Sequence, residues 1–141
     1  MRDILFRGKA IDVRCNERWI GKGEWVYGFY HYTNWYDRLT KELVETHYWI
    51  LPVDSQDGCQ VDPYTVGQYT GLRDKNGIKI FEGDIVNCKT TAYSFEGGVI
   101  IWSAEEARWA MLKGRHRYPV SDLFMYEVIG NIHDNPEMLE E

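Results

Sequence analysis

The residue types that most often carry out chemistry are present in this chain but are scattered along it. It has three cysteines and four histidines, namely Cys15, Cys59, Cys88, His31, His47, His116 and His133. A cysteine nucleophile needs a histidine beside it in space and a third group that orients the imidazole. None of these residues stands in a local signature of such a site, and no G-x-S-x-G or H-E-x-x-H motif occurs. We therefore expect no catalytic residues, and an undetected enzyme is the third and last hypothesis on function.

Two carboxylates two residues apart, Glu82 and Asp84, could bind a divalent cation, because hard oxygen ligands are what such ions prefer. They flank Gly83, which can adopt a backbone conformation closed to other residues and so reverses the chain. The alternative is that both are turn residues whose carboxylates cap backbone amides. No acidic pattern of the EF-hand type accompanies them. We predict a turn, no metal site and no bound cofactor.

One basic cluster contains Lys113, Arg115 and Arg117, and Trp109 lies just before it. Basic side chains beside exposed rings suit single-stranded nucleic acid, because the charges contact phosphates and the rings stack on bases. The alternative is a solvated hairpin tip, in which Gly114 makes the turn and Trp109 points into the core. The formal net charge of −6 argues against nucleic-acid binding through overall charge, but it leaves this local patch open.

An aromatic strand is predicted over residues 25–32, and both of its faces carry apolar or aromatic side chains. Aromatic residues are enriched at the hot spots of protein interfaces. The strand therefore suggests contact with a protein partner or with another copy of the chain, through Trp25, Tyr27, Phe29 and Tyr30. The alternative is that both faces are covered within the monomer. We prefer the interaction hypothesis because no catalytic constellation competes with it.

Turn signals and short apolar runs indicate how these residues are positioned. Asn76-Gly77 and Gly83 predict two tight turns, with a short strand from Ile78 to Phe81 between them. A buried strand is predicted over residues 99–102, an antiparallel partner over 108–112 and a closing strand within 123–132. Aromatic residues make up 15% of the chain, which favours strands. Residues 33–46 are ambiguous, and a loop with at most a short helix is expected there.

The predicted fold is mainly β. Asp62-Pro63 resembles a helix start of about one turn, and it marks the predicted boundary between two units. Residues 1–62 are expected to form a β-rich N-terminal unit, residues 63–133 an SH3-like barrel or roll, and residues 134–141 a short tail.

Cysteine usage and hydropathy point to the cytoplasm. The three cysteines are widely spaced and odd in number, which favours free thiols in a reducing compartment. The N-terminus has no apolar region typical of a signal peptide, and no apolar run approaches the roughly 20 residues needed to span a bilayer. We expect a soluble protein with no membrane partner.

Four segments together resemble the YopX family: MRDILFRGKAID at the start, GEWVYGFY, DPYTVGQYTGLRDKNGIKIFEGDIV, and YEVIGNIHDNPEML at the end. The family comprises small proteins of phages and prophages of Gram-positive bacteria. The resemblance implies a β-rich fold with an SH3-like barrel, a bacterial cytoplasmic setting and no established activity or site residues. It leaves the expected function as a non-catalytic binding module for a protein partner or itself, with nucleic-acid binding by the basic cluster as the alternative.

Overall fold

A computed structural model describes residues 3–139 except 12, 16–17, 21, 54, 90–93 and 121–124, and the protein is mainly β as predicted. The described strands pair only in antiparallel fashion. The chain divides into two compact units, one of Ile4–Gln68 and one of Met1–Asp3 with Tyr69–Glu141. The structural division thus falls after Gln68, whereas the sequence predicts a boundary at Asp62-Pro63.

The unit Ile4–Gln68 contains six complete strands, a 3-10 turn and the start of a seventh strand. They are β1 (Phe6–Lys9), β2 (Val13–Cys15), β3 (Arg18–Ile20), β4 (Trp25–Tyr36), β5 (Leu43–Pro52), β6 (Cys59–Gln60), η1 (Pro63–Thr65) and the first residues of β7 (Gly67–Arg73). The order across the sheet is β6-β5-β4-β1, and β2 forms a hairpin with β3. The start of β7 pairs with β1, Gly67 opposite Arg7.

The core of this unit lies on one face of its sheet. Ala10, Val26, Ile50, Cys59 and Val61 are buried there. Strand alternation places Val26 and Tyr30 on this face and their sequence neighbours on the other. A Cβ at position 28 would collide with the backbone carbonyl of Leu51, so only glycine allows β4 and β5 to approach this closely.

The predicted loop over residues 33–46 is confirmed only for residues 37–42 and is wrong at both ends, because β4 continues to Tyr36 and β5 begins at Leu43. Cross-strand pairing between two long strands outweighs the weak helical spacing of this segment, whose β-branched residues fit a pleated strand. The helix start at Asp62 is confirmed as η1, since its carboxylate accepts a hydrogen bond from the Tyr64 N–H at 3.0 Å.

The second unit holds the rest of β7 and six further strands. These are β8 (Lys79–Phe81), β9 (Asp84–Lys89), β10 (Ser94–Ser103), β11 (Arg108–Lys113), β12 (His116–Pro119) and β13 (Met125–Asn131), followed by the 3-10 turn η2 (Pro136–Leu139). Five of them form a sheet in the order β12-β11-β10-β9-β13, while Tyr69 of β7 pairs with Phe81 of β8. Its core contains Ile80, Val86, Cys88, Ile100, Met111 and Tyr126.

The predicted turns of this unit are confirmed. Gly77 and Gly83 have φ angles of 81° and 88°, which favour glycine. Asp74 opens the first turn and is buried: its Oδ1 accepts from the Asn76 and Ile78 N–H groups, and its Oδ2 accepts from the Val128 N–H of β13 at 3.1 Å. A single carboxylate therefore ties the turn to a distant strand.

The SH3-like barrel is not confirmed. β12 and β13 are the end strands of the five-stranded sheet, and within the described ranges no pairing joins them into a closed cylinder. The protein is mainly β, as predicted, but the described strands do not close into a barrel.

No helix in the described part of the chain is both long and apolar enough to cross a membrane.

Candidate interaction surface

The most unusual feature of the molecule is a two-stranded arm formed by residues 29–48, called here the β4–β5 arm. β1 pairs with β4 only from Trp25 to Gly28, and β6 pairs with β5 only at Trp49 and Ile50. Beyond those points each strand has only the other as its neighbour among the described strands. Large apolar side chains along the arm are exposed: Phe29, Tyr32, Trp35, Tyr36, Leu39, Leu43 and Val44. Exposed apolar side chains grouped in this way are typical of interaction sites.

One face of the arm carries four rings in sequence, called here the ring row: Trp35, His47, Trp49 and His31. Their centroids are separated by 4.9 Å, 6.2 Å and 6.4 Å in that order, with the rings of each pair stacked. The indole N–H of Trp49 donates to Thr33 Oγ1 at 2.9 Å, and Glu45 lies 2.8 Å from Nε2 of His47. These contacts position Trp49 and His47, which are half-buried, while Trp35 and His31 at the two ends of the row are exposed.

The opposite face of the arm joins the core near its base. Tyr30 and Tyr48 stack with their centroids 6.5 Å apart and pack against the buried residues. Burial raises the pKa of Tyr30, and the neighbouring Tyr48 and Tyr32 hydroxyls raise it further. Only the outer part of this face, from Tyr32 onwards, is exposed.

The tip of the arm is a structured turn. Asp37 Oδ1 accepts from the Leu39 and Thr40 N–H groups, each at 2.8 Å, and these two bonds hold the pKa of Asp37 below its ordinary value. Lys41 adopts a left-handed conformation with φ of 64°. The turn presents Leu39 with 93% of its surface exposed.

The four predicted interface residues occupy different environments. Tyr27 and Phe29 are exposed, on the same face as the ring row. Trp25 is half-buried, with the Arg7 guanidinium 4.6 Å and the Lys9 amine 5.4 Å from its ring centroid. Tyr30 packs on the core instead. The structure thus brings two of the four onto one open surface.

Sequence reasoning did not predict that Trp35, His47 and Trp49 share one surface, because residues 33–46 were expected to form a loop and no pairing across it was foreseen. A signal for them was present in the sequence. Before the turn, rings stand at positions 25, 27, 29, 31 and 35, and after it His47 and Trp49 are again two residues apart. This is the spacing of side chains on one face of a hairpin.

The basic cluster lies at the β11–β12 hairpin, and strand register divides it between two faces. Lys113 pairs with His116, and Leu112 pairs with Arg117. Lys113 therefore shares a face with Trp109, whereas Arg117 lies on the other and contacts Glu105 at 3.1 Å. Trp109 packs against the core and meets Trp102 edge-to-face at 5.1 Å. Trp109 is therefore only partly exposed beside the basic side chains, whereas Arg115 at the turn is exposed.

Of the residues considered for chemistry, His31 and His47 lie together in the ring row. Asp84 is buried, and its Oδ2 accepts from the Phe81 N–H at 2.7 Å, as expected for a turn-forming carboxylate. Among the residues that the structure describes, no group of histidine, cysteine and acidic side chains could hold a metal ion. The expectation of three free thiols is wrong for Cys59, which is disulfide-bonded. Cys88 is a free thiol whose pKa is raised by burial.

The chain is similar to known proteins in two comparisons. A family model described as YopX protein matches residues 13–140. Among solved structures, the crystal structure of protein EF1440 from Enterococcus faecalis is similar, with 24% sequence identity and a TM-score of 0.44. The alignment covers 99% of this chain and 100% of that one. No curated protein matches the chain.

Proposed function

The chain belongs to the YopX protein family, and from that premise we propose that it is a non-catalytic binding module whose contact surface is the β4–β5 arm. The observation that carries the proposal is the ring row together with the exposed Phe29 and Leu39, which form an ordered apolar surface. The occupant proposed for this surface is a protein partner or another copy of the chain.

The chemistry of the arm favours protein over other ligands. Leu39, Leu43 and Val44 add aliphatic side chains to the rings, and such side chains gain free energy when another apolar surface removes them from water. The arm carries the acidic residues Asp37, Glu42 and Glu45 against the basic residues Arg38 and Lys41, so its formal charge gives phosphates no net attraction. Fixed rings also lose little conformational entropy on binding, which favours affinity.

A matched pair of variants tests this proposal. Phe29→Ser with Trp35→Ser removes two half-exposed rings from the arm, at 52% and 55% exposure. Ile78→Ser with Trp102→Ser removes comparable side chains from the second unit, at 51% and 47% exposure. Affinity capture from the cells that make the protein identifies the partner, and surface plasmon resonance then measures its dissociation constant.

The arm variant should weaken that binding by about 100-fold or more, because hot-spot rings carry at least about 2 kcal/mol each. The second-unit variant should bind like the wild type. Equal binding by all three proteins would refute the arm as the contact surface.

The second candidate is nucleic-acid binding by the β11–β12 hairpin, favoured by the exposure of Arg115 at its tip and by Lys113 and Arg117 close by. If this function exists, the triple variant Lys113→Glu, Arg115→Glu and Arg117→Glu should lose affinity for single-stranded DNA in fluorescence anisotropy. A wild-type protein with no measurable affinity at low salt excludes this candidate. Trp109 is half-buried and packs against the core, which makes nucleic-acid binding the weaker of the two candidates.

The family resemblance also supports a phage or prophage origin and a place in the bacterial cytoplasm, and we propose both. The disulfide at Cys59 provides a check on the compartment. Thiol labelling of the protein in intact cells reports whether that bond is formed there, and a fully oxidised Cys59 would contradict a reducing cytoplasm.

A further inference from the structure

We propose that the outer edge of β4 pairs with the same edge of a second copy of this chain, antiparallel and centred on Thr33. This inference deepens the proposed function by naming the occupant of the arm, and it rests on that function. It follows from the directions of the backbone groups, the composition of the strand and the position of the ring row.

The backbone directions come from two hydrogen bonds at opposite sides of the sheet. The Val61 N–H donates to the Tyr48 carbonyl at 2.9 Å, so the polar groups of Tyr48 point away from β4. The backbone N–H and C=O groups of successive residues point to alternate sides of a strand. The backbone groups of Tyr48 and of Tyr32, the residue opposite it, therefore both point away from the β4–β5 pair. The Ala10 N–H independently donates to the Glu24 carbonyl at 2.8 Å, which shows that even-numbered positions face β1.

The outer edge of β4 therefore offers the N–H and C=O groups of four residues beyond the end of β1: Tyr30, Tyr32, Asn34 and Tyr36. Among the described residues, no strand pairs with this edge after Gly28. Such a row of backbone donors and acceptors is a template for another strand. The outer edge of β5 offers a shorter row of backbone groups, because the Tyr48 carbonyl already accepts a hydrogen bond from the Val61 N–H.

The composition of β4 leaves the edge unprotected. From Trp25 to Tyr36 the strand has no Asp, Glu, Lys, Arg or Pro, which are the residues that usually prevent edge pairing. Two copies can therefore meet along it without opposing like charges. The second strand of the arm, β5, has Glu45 and a register irregularity opposite Trp35 and Tyr36, which make it a poorer template.

Symmetry selects the register. A two-fold axis at Thr33 pairs Tyr30 with Tyr36 of the second copy and Tyr32 with Asn34, so all four outward-facing residues are used. It also places Thr33 opposite Thr33, a cross-strand pair that stabilises sheets. A second copy therefore presents to this edge a strand that has the same four outward residues and no charged side chain.

The same register joins the two ring rows. His31 lies at one end of the row and Trp35 at the other. With the axis at Thr33, His31 of each copy faces Trp35 of the other in a closely spaced, non-hydrogen-bonded pair. One continuous row of stacked rings would then cross the interface.

A matched pair of proline variants in the full-length protein tests the inference. Asn34 and Thr46 face each other across the arm, and Thr46 Oγ1 donates to Asn34 Oδ1 at 2.9 Å. Asn34→Pro and Thr46→Pro both lose this bond, and each removes one outward N–H, but from opposite edges of the arm. Circular dichroism tests whether both variants fold. Asn34→Lys is a second variant, which keeps the N–H and should also weaken edge pairing because it adds a charge.

Sedimentation equilibrium should show a concentration-dependent dimer for the wild type. Asn34→Pro should weaken dimerisation by about tenfold or more, because a partner carbonyl is left unpaired, whereas Thr46→Pro should leave it unchanged. Mild oxidation should cross-link Thr33→Cys into a covalent dimer, since opposite Cα atoms at about 4.5 Å lie within disulfide range. Thr46→Cys should not cross-link.

A wild-type monomer at all concentrations would overturn the inference, and so would a dimer that Asn34→Pro leaves intact or that does not cross-link at position 33. Capture of a different protein that Asn34→Pro abolishes would assign the edge to another occupant. A different result would refute the proposed function: binding of the partner by the variant Phe29→Ser with Trp35→Ser as tightly as by the wild type.

Discussion

The five-stranded sheet and the β4–β5 arm are built from similar apolar and aromatic residues, but they place them in opposite environments. Ile100 lies in the middle of β10 and is fully buried, with β9 and β11 on either side. Trp35 lies in a strand of equal apolar character and is 55% exposed. β10 has a neighbour along each edge, whereas β4 has only β5 from Phe29 onwards. Apolar side chains are buried where a face of a sheet packs on a core, as for Ile100 and for Tyr126 of the end strand β13, and they stay exposed where the described residues leave that face open, as for Trp35.

Stability and binding should therefore depend on different parts of the molecule. Burial of apolar surface stabilises the five-stranded sheet, while the arm keeps such surface accessible for contact. A hairpin of two strands is marginally stable in water unless other elements support it. The arm is supported at its base by Tyr30 and Tyr48 against the core and at its tip by the Asp37 turn.

The largest effect should come from truncating the centre of the five-stranded sheet. Ile100→Ala should lower the free energy of unfolding by about 2–5 kcal/mol, because it removes buried methyl groups and leaves a cavity. Val44→Ala, on the exposed part of the arm, should change it by no more than about 0.5 kcal/mol. Urea unfolding followed by circular dichroism measures both, and equal losses would contradict the contrast between the two regions.

An intermediate effect is expected at Asp74. Asp74→Ala should cost about 1–3 kcal/mol, because three backbone N–H groups lose their acceptor. Burial alone would raise the pKa of Asp74, but these bonds outweigh it and hold the pKa below the ordinary value of 3.8. The ionised carboxylate therefore stabilises the fold above pH 3.8, and this contribution is lost as the pH falls through the folded-state pKa.

The variant Asp74→Asn removes the charge together with one of the two acceptor oxygens, because an amide nitrogen cannot accept a hydrogen bond. Its stability should fall below that of the wild type at neutral pH, and the difference should shrink as the solution is acidified below the ordinary pKa of the carboxyl group. A difference that persists undiminished at low pH would show that the charge of Asp74 contributes nothing.

The smallest effect on global stability is expected at the tip of the arm. Asp37→Ala removes the acceptor of the Leu39 and Thr40 N–H groups, so hydrogen exchange at these two amides should accelerate. The midpoint of thermal unfolding should hardly move, because the tip buries little apolar surface. A large drop in that midpoint would mean that the arm contributes to the core. Asn34→Ala, on the shaft of the arm, serves as the control for loss of an exposed polar side chain.

Local signals predicted the elements that local chemistry determines. Asn76-Gly77 and Gly83 form the expected turns because few residues other than glycine tolerate their positive φ angles. Asp62-Pro63 starts the expected 3-10 turn because a carboxylate can cap the next free N–H groups. The apolar runs around Ile100 and Met111 form the expected antiparallel pair.

Long-range features were not predictable in the same way. The ring row needs β4 and β5 to pair over their full lengths, and the helical spacing of residues 33–46 concealed this. The bond from Asp74 to Val128 joins residues far apart in sequence, and no local pattern marks it. The division of Lys113 and Arg117 between two faces depends on strand register.

Residue-by-residue preferences and motif order were enough to predict a mainly β protein, the positions of its tightest turns and the family that it resembles. The tertiary fold was needed to show which apolar strands are covered. Apolar side chains are buried where their face packs on a core and exposed where it does not, as Ile100 and Trp35 show. Whether other elements cover the apolar face of a strand depends on the topology of the fold. This difference separates the core from the candidate binding surface.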